Sequence, residues 1–157
     1  MLNKQKLYEP NNQEHLDELS SALEISQETL SQLMTKAEKV KDFSYSPYSK
    51  FRVGCSLLTK KDNIFVGTNV ENVSYGVTNC AERTAIYTAV TTGETSFKIY
   101  FVTSDMEDFL TPCGACRQAI SEFGSCHVVL MNKDRKMQLT SIDELLPTKP
   151  SIDHLKK

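Results

Sequence analysis

The chain has 157 residues, 39% hydrophobic and 24% charged, which suits a single soluble globular domain with a sizeable core. Its net charge is −2 with no basic stripe, which excludes a phosphate-gripping nucleic-acid binder and favours a small or neutral substrate. No apolar run is long enough to span a bilayer. The start, acidic at Glu9, Glu14, Asp17 and Glu18, has no signal-peptide core, so the expected compartment is cytoplasmic. Five cysteines in such a compartment predict free, buried or metal-bound thiols rather than disulfides.

Residues 1–25 are polar with a weak helical stripe at Leu16, Leu19 and Leu23. They read as a loosely attached N-terminal extension carrying one short helix, followed by one domain over 26–157. Ser26 is a good N-cap, and Leu30, Leu33, Met34, Ala37 and Val40 form one apolar face, which predicts an amphipathic helix over 27–41. Pro47 breaks the pattern. Phe51, Val53, Cys55 and Leu57 alternate at period two, which predicts a strand. "KKDN" turns it into the return strand "IFVGTNV" of a hairpin, and a loop, "ENVSYGVTN", follows. Ala81, Ala85 and Ala89 predict a helix stopped by Gly93. "KIYFVTS" reads as a buried strand. Thr111 as N-cap and Pro112 as first residue open another helix, which ends at Gly124. "HVVLM" and "MQLT" are strands, and Ser141 with Glu144 forms a capping-box pattern on a last short helix. Strands alternating with helices after a starting hairpin predict an α/β fold with a mixed sheet covered on both faces.

The chemistry centres on "TPCGACRQ", where Cys113 and Cys116 follow a proline. A redox pair, half of a structural zinc site and part of a catalytic site are the three readings. A redox pair needs no third partner. A structural zinc site needs two more ligands, and His15, His127 and His154 each stand away from other candidates. A catalytic site needs one more ligand and an open position. "NCAER" supplies Cys80, at another helix start, where the thiolate is favoured. Two residues on is Glu82. Cys-x-Glu followed by Pro-Cys-x-x-Cys is the zinc deaminase signature, in which the carboxylate shuttles protons and does not bind the metal.

Each residue has a plainer alternative. Cys80 could be a small buried apolar side chain. Glu82 could only complete a capping box from Asn79. Arg83 could be solvated, Asn69 and Glu71 could make local turn bonds, Phe51 could be core, and Tyr75 could simply pack. Cys55 and Cys126 keep such a reading, as core or strand-end thiols without a motif.

The chain resembles the small, homotetrameric cytidine deaminases over about residues 27–147, through "YSPYSKFRVG", "GTNVENVSYG", "CAERTAI", "TPCGACRQ", "EFG" and "ELLP". The resemblance implies a three-layer α/β sandwich with a five-stranded mixed β-sheet between helices. It implies one Zn2+ per chain on Cys80, Cys113 and Cys116, with Glu82 as general acid and base. Phe51 would pack on the pyrimidine, Asn69 and Glu71 would hold the ribose hydroxyls, and the Ala81 N–H would reach a base oxygen. Arg83 would donate to the ligand sulfurs, offsetting their charge. Tyr75 would reach a neighbouring subunit's site. The implied reaction is hydrolytic deamination of cytidine and deoxycytidine by hydroxide attack at C4, in pyrimidine salvage. Two features depart from the family: Pro150 stands where a phenylalanine is frequent, and residues 1–25 precede the usual start.

Overall fold

A computed structural model describes residues 6–150 of the chain. One six-stranded mixed sheet forms its middle layer, in the order β1-β6-β5-β4-β2-β3. The strands are β1 (Leu7–Tyr8), β2 (Val53–Thr59), β3 (Ile64–Thr68), β4 (Phe97–Ser104), β5 (His127–Met131) and β6 (Met137–Ser141). Only β4 and β5 run parallel; the other neighbours are antiparallel. The helices are α1 (Gln13–Ala22), α2 (Gln27–Lys41), α3 (Ala81–Val90), α4 (Gly114–Ser121) and α5 (Ile142–Leu145), with a 3-10 turn at Tyr75–Val77.

Period-two alternation sorts the strand residues onto two cores. Val53, Cys55 and Leu57 of β2, Tyr100 and Val102 of β4, and Val128 and Leu130 of β5 face α3, α4 and α5. Leu58, Ile99, Phe101, Val129 and Met131 face α1 and α2. Every residue of β2 is buried. That accounts for its near-continuous apolar run, as expected of a strand covered on both faces.

The local signals hold where they rest on backbone chemistry. The Ser26 hydroxyl accepts from the Thr29 N–H at 3.0 Å, and α2 begins at the next residue. The Ser141–Glu144 capping box is complete. Gly93 and Gly124 both adopt positive φ just beyond their helices, a conformation that costs glycine little.

Three expectations are corrected. The sheet has six strands rather than five, because Leu7 and Tyr8 pair with Gln138 and Met137 of β6. Residues 6–25 are not loosely attached: Leu19 and Leu23 of the stripe are fully buried against α2 and the sheet, with Tyr8 beside them. A weak stripe in a polar helix suffices because α2 supplies an apolar surface for it. We expect Leu19→Ala to cost about 2–5 kcal/mol, the usual range for a buried leucine. A urea midpoint unchanged from the parent would show the segment to be peripheral.

Helix α4 also starts later than expected. Its first helical bond runs from the Arg117 N–H to the Cys113 carbonyl at 2.9 Å, making Cys113 the N-cap. Thr111 does not cap, and its hydroxyl oxygen accepts from Arg117 at 3.4 Å. Arg117 also binds the Pro112 carbonyl at 2.8 Å. The guanidinium thus pins the approach to the helix.

Candidate active site

Three chain segments meet at one end of the sheet. Val53, which opens β2, pairs with Ser104, which closes β4. Gly54 pairs with Thr68, the end of β3. Residues leaving β3 then enter a laced loop. Tyr45 donates to the Asn69 carbonyl at 3.1 Å, and Val70 and Asn79 exchange bonds at 2.9 and 3.0 Å. This short extended stretch makes Asn69 and Glu71 point one way and Val70 the other. Asn69 and Glu71 are buried and Val70 is exposed.

Cys80 and Cys113 are the N-caps of α3 and α4, and neither side chain makes a capping hydrogen bond. Cys116 lies in the first turn of α4. Their three sulfurs lie within 4.8 Å of one another. Zinc–sulfur bonds of about 2.3 Å at a tetrahedral angle bring two sulfurs to about 3.8 Å. The Cys80–Cys113 separation is 3.8 Å, so the donor set fits zinc. With one such cluster among the described residues, the stoichiometry is one zinc per chain.

The electrostatics favour a thiolate at Cys80. The Cys80 thiol is drawn down to about 5, first by its hydrogen bond with Cys116 and then, against burial, by Arg83 and Cys113. Cys116 is pushed up by that same bond and by burial. Arg83 lies 3.6 Å from the Cys80 sulfur and donates to the Thr78 carbonyl at 3.2 Å. Two helix N-termini add further positive potential.

Glu82 sits in the first turn of α3, 3% exposed. Burial pushes its carboxyl up to about 7, and the negative Cys80 adds to the effect. Cys80, not Asn79, caps α3, so the Glu82 carboxyl is not a capping-box partner of Asn79. The Asn79 amide donates to Thr84 instead, at 3.0 Å.

A cavity of about 330 Å3 opens above the sulfurs. Phe51, Asn69, Glu71, Cys80, Ala81, Glu82 and Cys113 all line it. Cys116 is fully buried behind them. Tyr75 does not line the cavity of its own chain; it is 65% exposed and meets Tyr48 edge-on at 6.0 Å. Pro150 is exposed. A larger depression, about 510 Å3, lies near Lys98 and His127, far from the thiol cluster in the fold. The smaller cavity, which holds the sulfurs of Cys80 and Cys113 and the buried Glu82, is the active-site candidate.

Other lining residues escaped sequence reasoning: Ser49, Leu110 and Thr111. Ser44 supports the site from behind, donating to the Asn69 side-chain oxygen at 2.6 Å. In the sequence, Ser44 and Ser49 stand in the hydroxyl-rich run "SYSPYS".

Three sulfurs at two helix starts, a buried carboxyl beside them and an accessible cavity above define a zinc-dependent hydrolase of the deaminase class. The family model for the cytidine and deoxycytidylate deaminase zinc-binding region matches residues 27–132. The chain belongs to that family. A probable cytidine deaminase of Dictyostelium discoideum is 48% identical over 124 residues, 78% of this chain and 84% of the relative. A cytidine deaminase of Sporosarcina psychrophila is 46% identical over 117 residues, 73% and 86% of the two chains. The crystal structure of cytidine deaminase from Burkholderia pseudomallei matches with a TM-score of 0.74 at 40% identity, covering 76% of this chain and 98% of that one.

Proposed function

We propose that the chain hydrolyses cytidine and deoxycytidine to uridine and deoxyuridine with release of ammonia. The observation that carries this reading is Glu82, buried beside the three sulfurs at a cavity rimmed by Asn69 and Glu71. Zinc held by Cys80, Cys113 and Cys116 supplies an acidified water when bound. Glu82 takes a proton from the water that attacks C4 and passes it to the ring nitrogen N3; it then takes the second proton from the new C4 hydroxyl and delivers it to the amino group, which leaves as ammonia. Burial raises the affinity of Glu82 for a proton, which suits a group that must take protons up and deliver them in turn. The Ala81 N–H, in the first turn of α3, has no partner within its helix and is free for a base oxygen. Phe51 packs against the ring.

Asn69 and Glu71 hold the sugar with complementary atoms. The Asn69 side-chain oxygen is already taken by Ser44 and by the Val53 N–H at 2.9 Å. One of its amide hydrogens goes to the Phe51 carbonyl at 2.8 Å, leaving the other to donate. Glu71 is held below its ordinary carboxyl range, first by the Ser49 hydroxyl, and so accepts. An anionic Glu71 disfavours a sugar phosphate, which argues against a deoxycytidylate substrate.

The same reading extends to pyrimidine salvage in the cytoplasm and to a homotetramer. Among the described residues, no helix is long and apolar enough to cross a membrane. Phe43, Tyr45, Tyr48, Val73, Tyr75 and Val77 leave an exposed apolar collar near the cavity. Such a patch suits contact with another copy, whose site Tyr75 would complete. Light scattering should give four chains per particle.

Turnover of cytidine, deoxycytidine, dCMP, blasticidin S and single-stranded DNA, followed by ultraviolet absorbance, tests the substrate. Nucleosides should be preferred. A preference for dCMP, blasticidin S or DNA overturns the reading, and bound zinc without turnover of any of them would leave a zinc-folded scaffold.

A further inference from the structure

Ser49 lines the cavity and bonds both the sugar-side carboxylate of Glu71 and the backbone N–H of Phe51. Its hydroxyl donates to Glu71 Oε1. The same oxygen accepts the Phe51 N–H at 3.0 Å. A serine hydroxyl has one hydrogen and two lone pairs. With the Phe51 N–H on its oxygen, the hydrogen is directed away from that amide and towards Glu71. The other carboxylate oxygen, Oε2, accepts the Tyr48 and Ser49 N–H groups at 3.1 and 3.2 Å. Both backbone donors therefore fall on Oε2, and among the described residues only the Ser49 hydroxyl orients Oε1. Residues 51 and 71 come from different strand ends, and this hydroxyl joins them.

We propose that Ser49 is a positioning residue that orients Glu71 for a sugar hydroxyl and registers it against Phe51. This rests on the nucleoside reading above, and its effect belongs to substrate binding through the sugar. Ser49 touches no reacting atom and no metal ligand. Removing the hydroxyl frees Oε1 to rotate and releases the Phe51 amide. It should therefore weaken ligands that carry sugar hydroxyls and spare those that do not.

The test compares the zinc-loaded parent, Ser49→Ala and Ser49→Thr on cytidine and 2′,3′-dideoxycytidine. Ser49→Ala should raise KM for cytidine about 10-fold or more, the value of one hydrogen bond to a charged group. Its kcat should change far less, and its KM for dideoxycytidine should hardly move. Ser49→Thr keeps a hydroxyl and should restore most of the cytidine KM. Equal losses on both substrates, a loss confined to kcat, or no loss would overturn the role. A parent that turns over neither substrate would refute the nucleoside reading instead. The crystal structure of Ser49→Ala would then decide on the tether: a displaced Glu71 carboxylate supports it, and unmoved Glu71 and Phe51 overturn it.

Discussion

Glu82→Gln should keep its zinc and lose about 10^4-fold or more in kcat. One positioned acid or base contributes roughly 10^2–10^4, and here a single carboxyl is assigned every proton transfer. Glutamine matches glutamate in shape but cannot take up or release a proton near neutral pH. The three sulfurs come from Cys80, Cys113 and Cys116, and Glu82 is not among them. Metal content measured by atomic emission should therefore remain about one zinc per chain. The two readouts separate proton transfer from metal binding. Residual turnover within tenfold of the parent would remove Glu82 from the proton path. Loss of zinc would make it a structural support of the metal site.

The second large effect concerns a residue with no functional group. Gly67 of β3 lies directly beneath α3. A Cβ there would stand 2.2 Å from the Ala85 nitrogen and 2.4 Å from the Ala81 carbonyl oxygen. Both are backbone atoms, so no rotamer change relieves the clash, and the helix must move away from the sheet. Helix α3 carries Cys80 as its N-cap and Ala81 and Glu82 in its first turn. Gly67→Ala should thus cost about 1–3 kcal/mol or more in stability. It should also lower kcat/KM by about 10^2-fold, the scale expected for an ångström of misplacement at a reacting centre.

Gly54 provides the control. A Cβ there would meet the Ala37 carbonyl oxygen at 2.1 Å, on the opposite face of the sheet. Gly54→Ala should destabilise the fold through α2 while affecting catalysis less. Thermal melts of both variants, with zinc content and kcat/KM on the surviving folded protein, make the comparison. If Gly54→Ala and Gly67→Ala lower activity equally, the close approach of α3 has no special role at the site.

Several parts of this arrangement could be read before folding. Ser26 and the apolar spacing behind it placed α2 at Gln27–Lys41, because capping and amphipathic period are local properties. The motif residues pointed to the thiol set, and the fold brings Cys80, Cys113 and Cys116 together. Other parts were hidden. A two-residue strand such as Leu7–Tyr8 has no periodicity to detect. The stripe at Leu16, Leu19 and Leu23 indicated a helix but not the surface that would bury it. The start of α4 lies later than the Thr–Pro pair suggests because Cys113 is its N-cap, and the Cys113 side chain makes no capping bond that a sequence pattern could signal.

The kinds of atoms available to the site follow from residue identity alone: three thiols that suit zinc, one carboxyl that can carry protons, and an amide and a second carboxyl that suit a sugar. Their working states depend on where the sheet brings them. Glu82 rises to about 7 because it is buried, whereas Glu71 falls below its ordinary range, first through its bond from the Ser49 hydroxyl. The two are the same residue type, and the difference arises from desolvation at one position and hydrogen-bond donors at the other.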